Sequence, residues 1–227
     1  LAGLLLGAHF GAWVPSVTMT SVASATALVS TQAIFSALIA RWRGARVPPL
    51  AWAGMAVSLL GVMLVTGVDV SVSARAAAGD LLALTGGLAA AIYMTVGAQA
   101  RQRMSTPTYT MICYACAAGA LLGACLIGGQ RLGGYPASDW AKIAAVTVSA
   151  QILGHTLLNL VVATTSPTVI AMALLIEAPG AALIAALWLG QRPPLSAIPG
   201  LALILAGLVA VARDSPRRAE AAEAPVA

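Results

Sequence analysis

Apolar residues in this chain come in eight long blocks, at positions 1–19, 22–40, 50–68, 80–99, 108–128, 141–163, 168–189 and 196–212, with polar residues gathered between them. Each block approaches the roughly 20 residues that an α-helix needs to cross the hydrocarbon core of a bilayer. The alternating ten-residue segments that mark a transmembrane β-barrel do not occur. The pattern predicts an all-α integral membrane protein with eight transmembrane helices. Pro48 and Pro49, Pro107, Pro167, and Pro193 and Pro194 fall in connections or first helical turns, where a missing N–H does no harm. Pro15 and Pro179 are interior and predict kinks. Asp80 opens the fourth block and reads as its N-cap. Residues 213–227, rich in Ala, Glu and Arg, read as a short disordered cytoplasmic tail.

Composition agrees with a bilayer as the solvent. Sixty per cent of residues are hydrophobic and 8% are charged, against roughly 25% charged in soluble domains. The 22 glycines favour close backbone approach, which is how helices associate in lipid, where hydrophobic burial cannot drive them together. The net charge of +5 does not indicate nucleic-acid binding, because the arginines lie in loops and form no basic stripe interleaved with aromatics. Cys113, Cys116 and Cys125 share one apolar block, so no disulfide framework is expected. The lone CxxC of Cys113 and Cys116 lacks a second ligand pair, and neither a metal nor a cofactor is expected. The chain opens inside an apolar stretch with no basic leader region, which reads as a chain cut at its N-terminus.

Basic residues set the expected orientation. One side of the membrane receives Arg41, Arg43, Arg46, Arg101, Arg103, Arg213, Arg217 and Arg218, and the other Arg75, Arg131, Lys142 and Arg192. The excess places the first group and the C-terminus in the cytoplasm. The expected location is the cell membrane, inner or plasma, as a multi-pass protein.

The chain also resembles itself. Gln32 lies 145 positions before Glu177, and a spacing of 146 then pairs Gly44 with Gly190, Arg46 with Arg192, Gly54 with Gly200 and Gly61 with Gly207. His9 and His155, 146 apart, extend the match to the first and sixth blocks. An odd number of helices, five, separates corresponding blocks, so the second copy would be inverted in the membrane, the logic of many secondary carriers. With a unit of five helices, residues 80–212 hold a complete second copy and residues 1–68 the last three helices of the first.

The stretch from His9 to Val65, HFGAWVPSVTMTSVASATALVSTQAIFSALIARWRGARVPPLAWAGMAVSLLGVMLV, resembles the third to fifth helices of the EamA-type drug/metabolite transporter superfamily. The stretch from Gly154 to Val211, GHTLLNLVVATTSPTVIAMALLIEAPGAALIAALWLGQRPPLSAIPGLALILAGLVAV, resembles its eighth to tenth. The resemblance implies eight transmembrane helices of a ten-helix fold, two inverted five-helix repeats around a central substrate cavity. Positions that often read Gly-Glu in that family are Gly44-Ala45 and Gly190-Gln191 here.

Polar side chains inside the apolar blocks are the functional pointers, since an ionisable group at the midplane costs on the order of 3 kcal/mol on insertion scales. Gln32 and Glu177 lie at similar depth in their blocks, and His9 and His155 are each near the middle of theirs. His9 and Trp13 are four apart, as are Gln151, His155 and Asn159 in succession, so each set shares a helix face. The expected substrate-binding residues are His9, Trp13, Gln32, Gln151, His155 and Asn159. Glu177 is the expected proton carrier, because a low dielectric favours its neutral form and lets it load and release a proton as access alternates. The competing reading makes His9, His155 and Asn159 hydrogen-bonding glue between helices. Tyr93, Tyr114 and Met94 read as core or lipid contacts.

The expected function is secondary transport of a small metabolite by alternating access, with export the favoured direction and protons the candidate driving force. The alternative is a membrane structural or assembly subunit, or an inactive transporter fragment. No phosphate loop, HExxH or GxSxG motif occurs, so an enzyme is not expected. The partners implied are a small-molecule substrate and the lipid bilayer, with no nucleic acid; a homodimer is left open.

Overall fold

The computed structural model describes residues 1–44, 46–165, 170, 174, 177–190 and 195–213. Residues 191–194, those around Pro167 and 214–227, with Arg192, Arg217 and Arg218 of the orientation count, lie outside the described residues. All regular structure among the described residues is helical. In chain order the helices are α1 (Ala2–Met19), α2 (Val22–Val29), α3 (Gln32–Trp42), α4 (Pro49–Val72), α5 (Ala74–Arg101), α6 (Thr106–Ile127), α7 (Ala137–Val146), α8 (Thr156–Val161), α9 (Glu177–Trp188) and α10 (Ile198–Arg213). A π-helical segment, Thr147–His155, joins α7 to α8. Four stretches among the described residues are long and apolar enough to cross a membrane: Val22–Trp42, Ala74–Arg101, Thr106–Ile127 and Ala137–Val161. Leu59, Leu122, Ile127 and Leu187 stand exposed, a surface that only lipid or a partner can cover.

Local chemistry sets the helix ends. The Ser21 and Ser105 hydroxyls accept the Ser24 and Thr108 amides, capping α2 and α6. α4 begins on Pro49, and Pro107 sits in the first turn of α6, as the missing donors predict. α5 departs from expectation. It starts at Ala74, where the Ser73 hydroxyl accepts the Ala76 amide at 3.0 Å, and an alanine-rich turn carries it forward. Asp80 is therefore not an N-cap: it is a fully buried residue inside α5. Arg75 is likewise inside the first turn of α5 and donates to the Thr18 carbonyl at 3.4 Å, at the negative end of α1.

Two spans are irregular, both near their middle. In Val22–Trp42 the ladder tightens at Ser30 and Thr31, with the Thr31 amide on the Leu28 carbonyl at 3.1 Å and the Ala33 amide on the Ser30 carbonyl at 3.2 Å. Three hydroxyls compete there for helix carbonyls: Thr26 bonds Val22 at 2.7 Å, Ser30 bonds Thr26 at 2.8 Å and Thr31 bonds Leu28 at 2.6 Å. Such back-bonding loosens a helix. In Ala137–Val161 the Thr147 and Ser149 hydroxyls take the Ile143 and Ala145 carbonyls, both at 2.8 Å, where the π segment begins.

The residues form two compact units, Leu1–Ala8 with Ile92–Pro167, and His9–Ala91 with Thr168–Ala227. In the first unit, the start of α1 lies on α6 so closely that a Cβ on Gly3 would come within 2.5 Å of the Cys113 carbonyl. The second unit holds a core of Ala25, Leu28, Ala33, Met55, Ala83, Ile204 and Leu208, and its tightest helix pair is α4 with α10. A Cβ on Gly61 would fall 2.5 Å from the Gly200 carbonyl and 2.6 Å from the Ile204 amide. One on Gly207 would fall 2.6 Å from the Ser58 amide and closer still to the Gly54 carbonyl. Between these points the Ser58 hydroxyl donates to the Ile204 carbonyl at 3.0 Å.

Candidate functional site

The first unit concentrates its polar groups around Asn159, a fully buried residue of α8. A buried amide needs partners for both its ends. The Tyr93 hydroxyl, on α5, donates to Asn159 Oδ1 at 2.7 Å, and Asn159 Nδ2 donates to the Tyr114 hydroxyl of α6 at 3.2 Å. Tyr114 also meets the Thr156 hydroxyl at 3.3 Å. His155 lies against the Tyr93 ring, with centroids 6.4 Å apart. Arg101, at the end of α5, donates through Nε to the Asn159 backbone carbonyl at 2.9 Å and through its other nitrogens to the Met104 carbonyl and the Thr106 hydroxyl. One guanidinium thus joins α5, the following turn, α6 and α8, a task its rigid fork of donors suits. Gln151 and His155 are half-buried within the π segment.

The second unit holds the remaining nominated residues. His9 Nδ1 bonds the Gly86 carbonyl of α5 at 3.0 Å. Its ring stacks on Trp13, with centroids 5.8 Å apart and an interplanar angle of 12°. The Trp13 indole nitrogen is buried with no hydrogen-bond partner among the described residues. Gln32 is buried at the start of α3, immediately after the irregular turn. Ser36, one turn further on, has a buried hydroxyl that is also without a partner among the described residues. Where α5 crosses the irregular turn, a Cβ on Gly87 would lie 2.8 Å from the Val29 carbonyl. Glu177 stands exposed at the first described turn of α9.

An apolar cavity of about 430 Å³ opens between α3 and α4 in the same unit, with Thr31 among its lining residues. None of the seven nominated residues lines it. The shared faces expected from helical spacing are present: His9 stacks on Trp13, and His155 and Asn159 both meet Tyr93. Sequence reasoning missed Arg101, read as a loop charge, and Ser36, and it assigned Tyr93 and Tyr114 to core or lipid. A buried Asn in an apolar block calls for two partners, and that demand was the one signal that could have led to the tyrosines; no signal led to Arg101.

Long apolar helices, outward-facing leucines and buried polar clusters at irregular mid-span turns define a polytopic integral membrane protein. A sequence model of the EamA-like transporter family matches residues 77–213. The chain belongs to that family, a family of membrane transporters. Among curated proteins, no sequence matches this chain. One crystal structure of a protein superposes with a TM-score of 0.66 at 21% identity, covering 96% of this chain and 76% of that one; at that identity the likeness is one of fold.

Proposed function

We propose that this chain is a secondary carrier of the inner or plasma membrane, exporting a small polar or amphipathic metabolite by alternating access, with Glu177 as the proton-coupling group. The observation that carries the reading is the irregular backbone at mid-span in two helices, Ser30–Thr31 and the segment Thr147–His155. Non-helical backbone at membrane depth is tolerated only where protein or a water-filled cavity surrounds it, and carriers build their sites on such interruptions. Polar residues accompany both: buried Gln32 and Ser36 after the first, half-buried His155 at the end of the second and buried Asn159 one turn beyond it. The indole N–H of Trp13, without a partner among the described residues, is a donor that a ligand can use.

The eight-helix count and the inverted repeat belong to the same reading, and the α4–α10 pair supports them. Gly61 approaches Gly200, and Gly207 approaches Gly54, while Gly54 and Gly200, and Gly61 and Gly207, are each other's repeat mates. Ser58 bonds Ile204, its own mate at 146 residues. A pseudo-twofold axis between two related helices produces such reciprocal contacts, with the central residue facing its own counterpart. Gly44 and Gly190, also mates, both take positive φ after a helix end, at 95° and 64°, the left-handed conformation that glycine adopts without penalty. On this reading residues 1–68 are the last three helices of the first repeat and residues 80–212 the complete second, and the arginine-rich loops and C-terminus face the cytoplasm.

The test is uptake into proteoliposomes from a panel of amino acids, nucleosides and sugars, with and without a pH gradient. Wild-type protein is expected to accumulate a member of the panel in response to the gradient, and Glu177→Gln to keep exchange while losing that response. Gradient-driven uptake unchanged in Glu177→Gln removes Glu177 from the mechanism, and no uptake of any kind favours a structural role.

A further inference from the structure

Trp42 and Trp188 lie 146 positions apart, the spacing that pairs Gly44 with Gly190. Trp42 is the last residue of α3 and Trp188 the last of α9, and both belong to the second unit. Two residues beyond each, a glycine takes positive φ, at 95° for Gly44 and 64° for Gly190, so the chain leaves both helices through the same kind of left-handed turn. Both rings stand clear of the protein, 89% exposed at Trp42 and 85% at Trp188, whereas Trp52 and Trp140 are partly covered. An indole so placed has two needs: its ring carries a large apolar area that water solvates poorly, and its N–H wants an acceptor that hydrocarbon lacks. The lipid–water interface meets both, which is why tryptophan collects at the headgroup level. A partner protein would ask for one such ring. A bilayer has two interfaces, and the two repeat mates supply one ring for each.

Helix length then fixes the depth of what precedes each ring. Gln32 opens α3, and Glu177 stands at the first turn of α9. From Gln32 to Trp42 the rise is about 15 Å, and from Glu177 to Trp188 about 16.5 Å, at about 1.5 Å per residue. Each is close to half of a hydrocarbon core of about 30 Å. We propose that Trp42 and Trp188 are seated at the two opposite lipid–water interfaces and so hold Gln32 and Glu177 at the bilayer midplane, approached from opposite sides. The opposite placement rests on the inverted-repeat reading. The transport reading does not enter, because neither depth nor sidedness involves a substrate.

Depth is read in phosphatidylcholine vesicles holding the full chain, with bromine carried either close to the headgroup or close to the end of the acyl chain. The share of quenching due to each ring is the part lost in Trp42→Phe or Trp188→Phe. Both shares should be larger with bromine near the headgroup, by at least about twofold. Sidedness is read in cells producing the chain, with a membrane-impermeant maleimide and a cysteine at the residue that follows each ring. Leu189→Cys should be labelled in intact cells and Arg43→Cys in everted membranes only, above the background of the native cysteines in the unaltered chain. Arg41→Cys serves in place of Arg43→Cys if that variant does not fold. Stronger quenching by chain-end bromine puts the rings in the hydrocarbon, and no quenching by either lipid means that protein covers them; either result overturns the proposal. Labelling of both cysteines from one side overturns it through the inverted repeat, and labelling of neither overturns it through the anchors themselves.

Discussion

Replacing Gly61 with Ala adds one methyl group at the tightest point of the α4–α10 pair. That methyl carbon would stand 2.5 Å from the Gly200 carbonyl oxygen and 2.6 Å from the Ile204 amide nitrogen, against the 3.4 Å of ordinary contact. Both obstacles are backbone, so neither can swing aside, and the helices must part by roughly 1 Å. A gap of that size forfeits a quarter to a half of each dispersion contact along the seam. The move also stretches the Ser58–Ile204 hydrogen bond, and bonds of this kind in membranes average about 0.6 kcal/mol. Overpacking costs about 1–3 kcal/mol, and alanine's better helix propensity returns up to about 1 kcal/mol. The net is a loss of about 1–2 kcal/mol, or about 2–8 °C in Tm for a chain of this size. The control is Gly119→Ala on α6, where no atom lies within 4 Å of the new Cβ. It keeps the propensity gain without the clash, so its Tm should hold or rise. Thermal unfolding of both variants in detergent, followed by size-exclusion fluorescence, provides the comparison. A Gly61→Ala protein as stable as Gly119→Ala refutes the close-packed seam.

Three further outcomes follow from the polar clusters. Asn159→Leu strips the Tyr93 hydroxyl of its acceptor and should cost about 1–3 kcal/mol; adding Tyr93→Phe should restore most of that stability, and an additive loss on thermal unfolding would refute the pairing. Arg101→Lys puts all its donors on one nitrogen, which cannot reach the three groups that three guanidinium nitrogens gather, so its Tm should fall nearly as far as that of Arg101→Ala, whereas a wild-type Tm for the lysine variant means that charge alone matters. His9→Phe keeps the stacking on Trp13 but loses the bond to the Gly86 carbonyl, at a cost of about 1 kcal/mol; an unchanged Tm would free His9 from its packing role and return it to the substrate path.

The pattern of long apolar blocks was enough to name the solvent and the secondary structure. Without water, the chain must satisfy its own backbone groups, so a spanning segment has to be a helix of predictable length. The glycines of the α4–α10 seam were also visible as a regular spacing, because close approach of two helices requires glycine at fixed places, and Gly54, Gly61, Gly200 and Gly207 stand at those places. The nominated polar residues were found by their cost in lipid. Their partners were not, because Tyr93 and Arg101 are brought to Asn159 by tertiary packing across more than 50 residues of chain. The start of α5 was misplaced by six residues, since the pattern marks where a helix is apolar and not where Ser73 can cap it.

What the sequence by itself determined is a helical membrane protein of the EamA-like family. The tertiary structure alone decided which of its polar residues are engaged and where the helices give way. His9 and Asn159 hold helices together, the Trp13 indole nitrogen and the Ser36 hydroxyl are without partners among the described residues, and the ladder yields at Ser30–Thr31 and over 147–155. The reach of a side chain to a distant helix depends on three-dimensional neighbours, and no periodicity along one dimension encodes it.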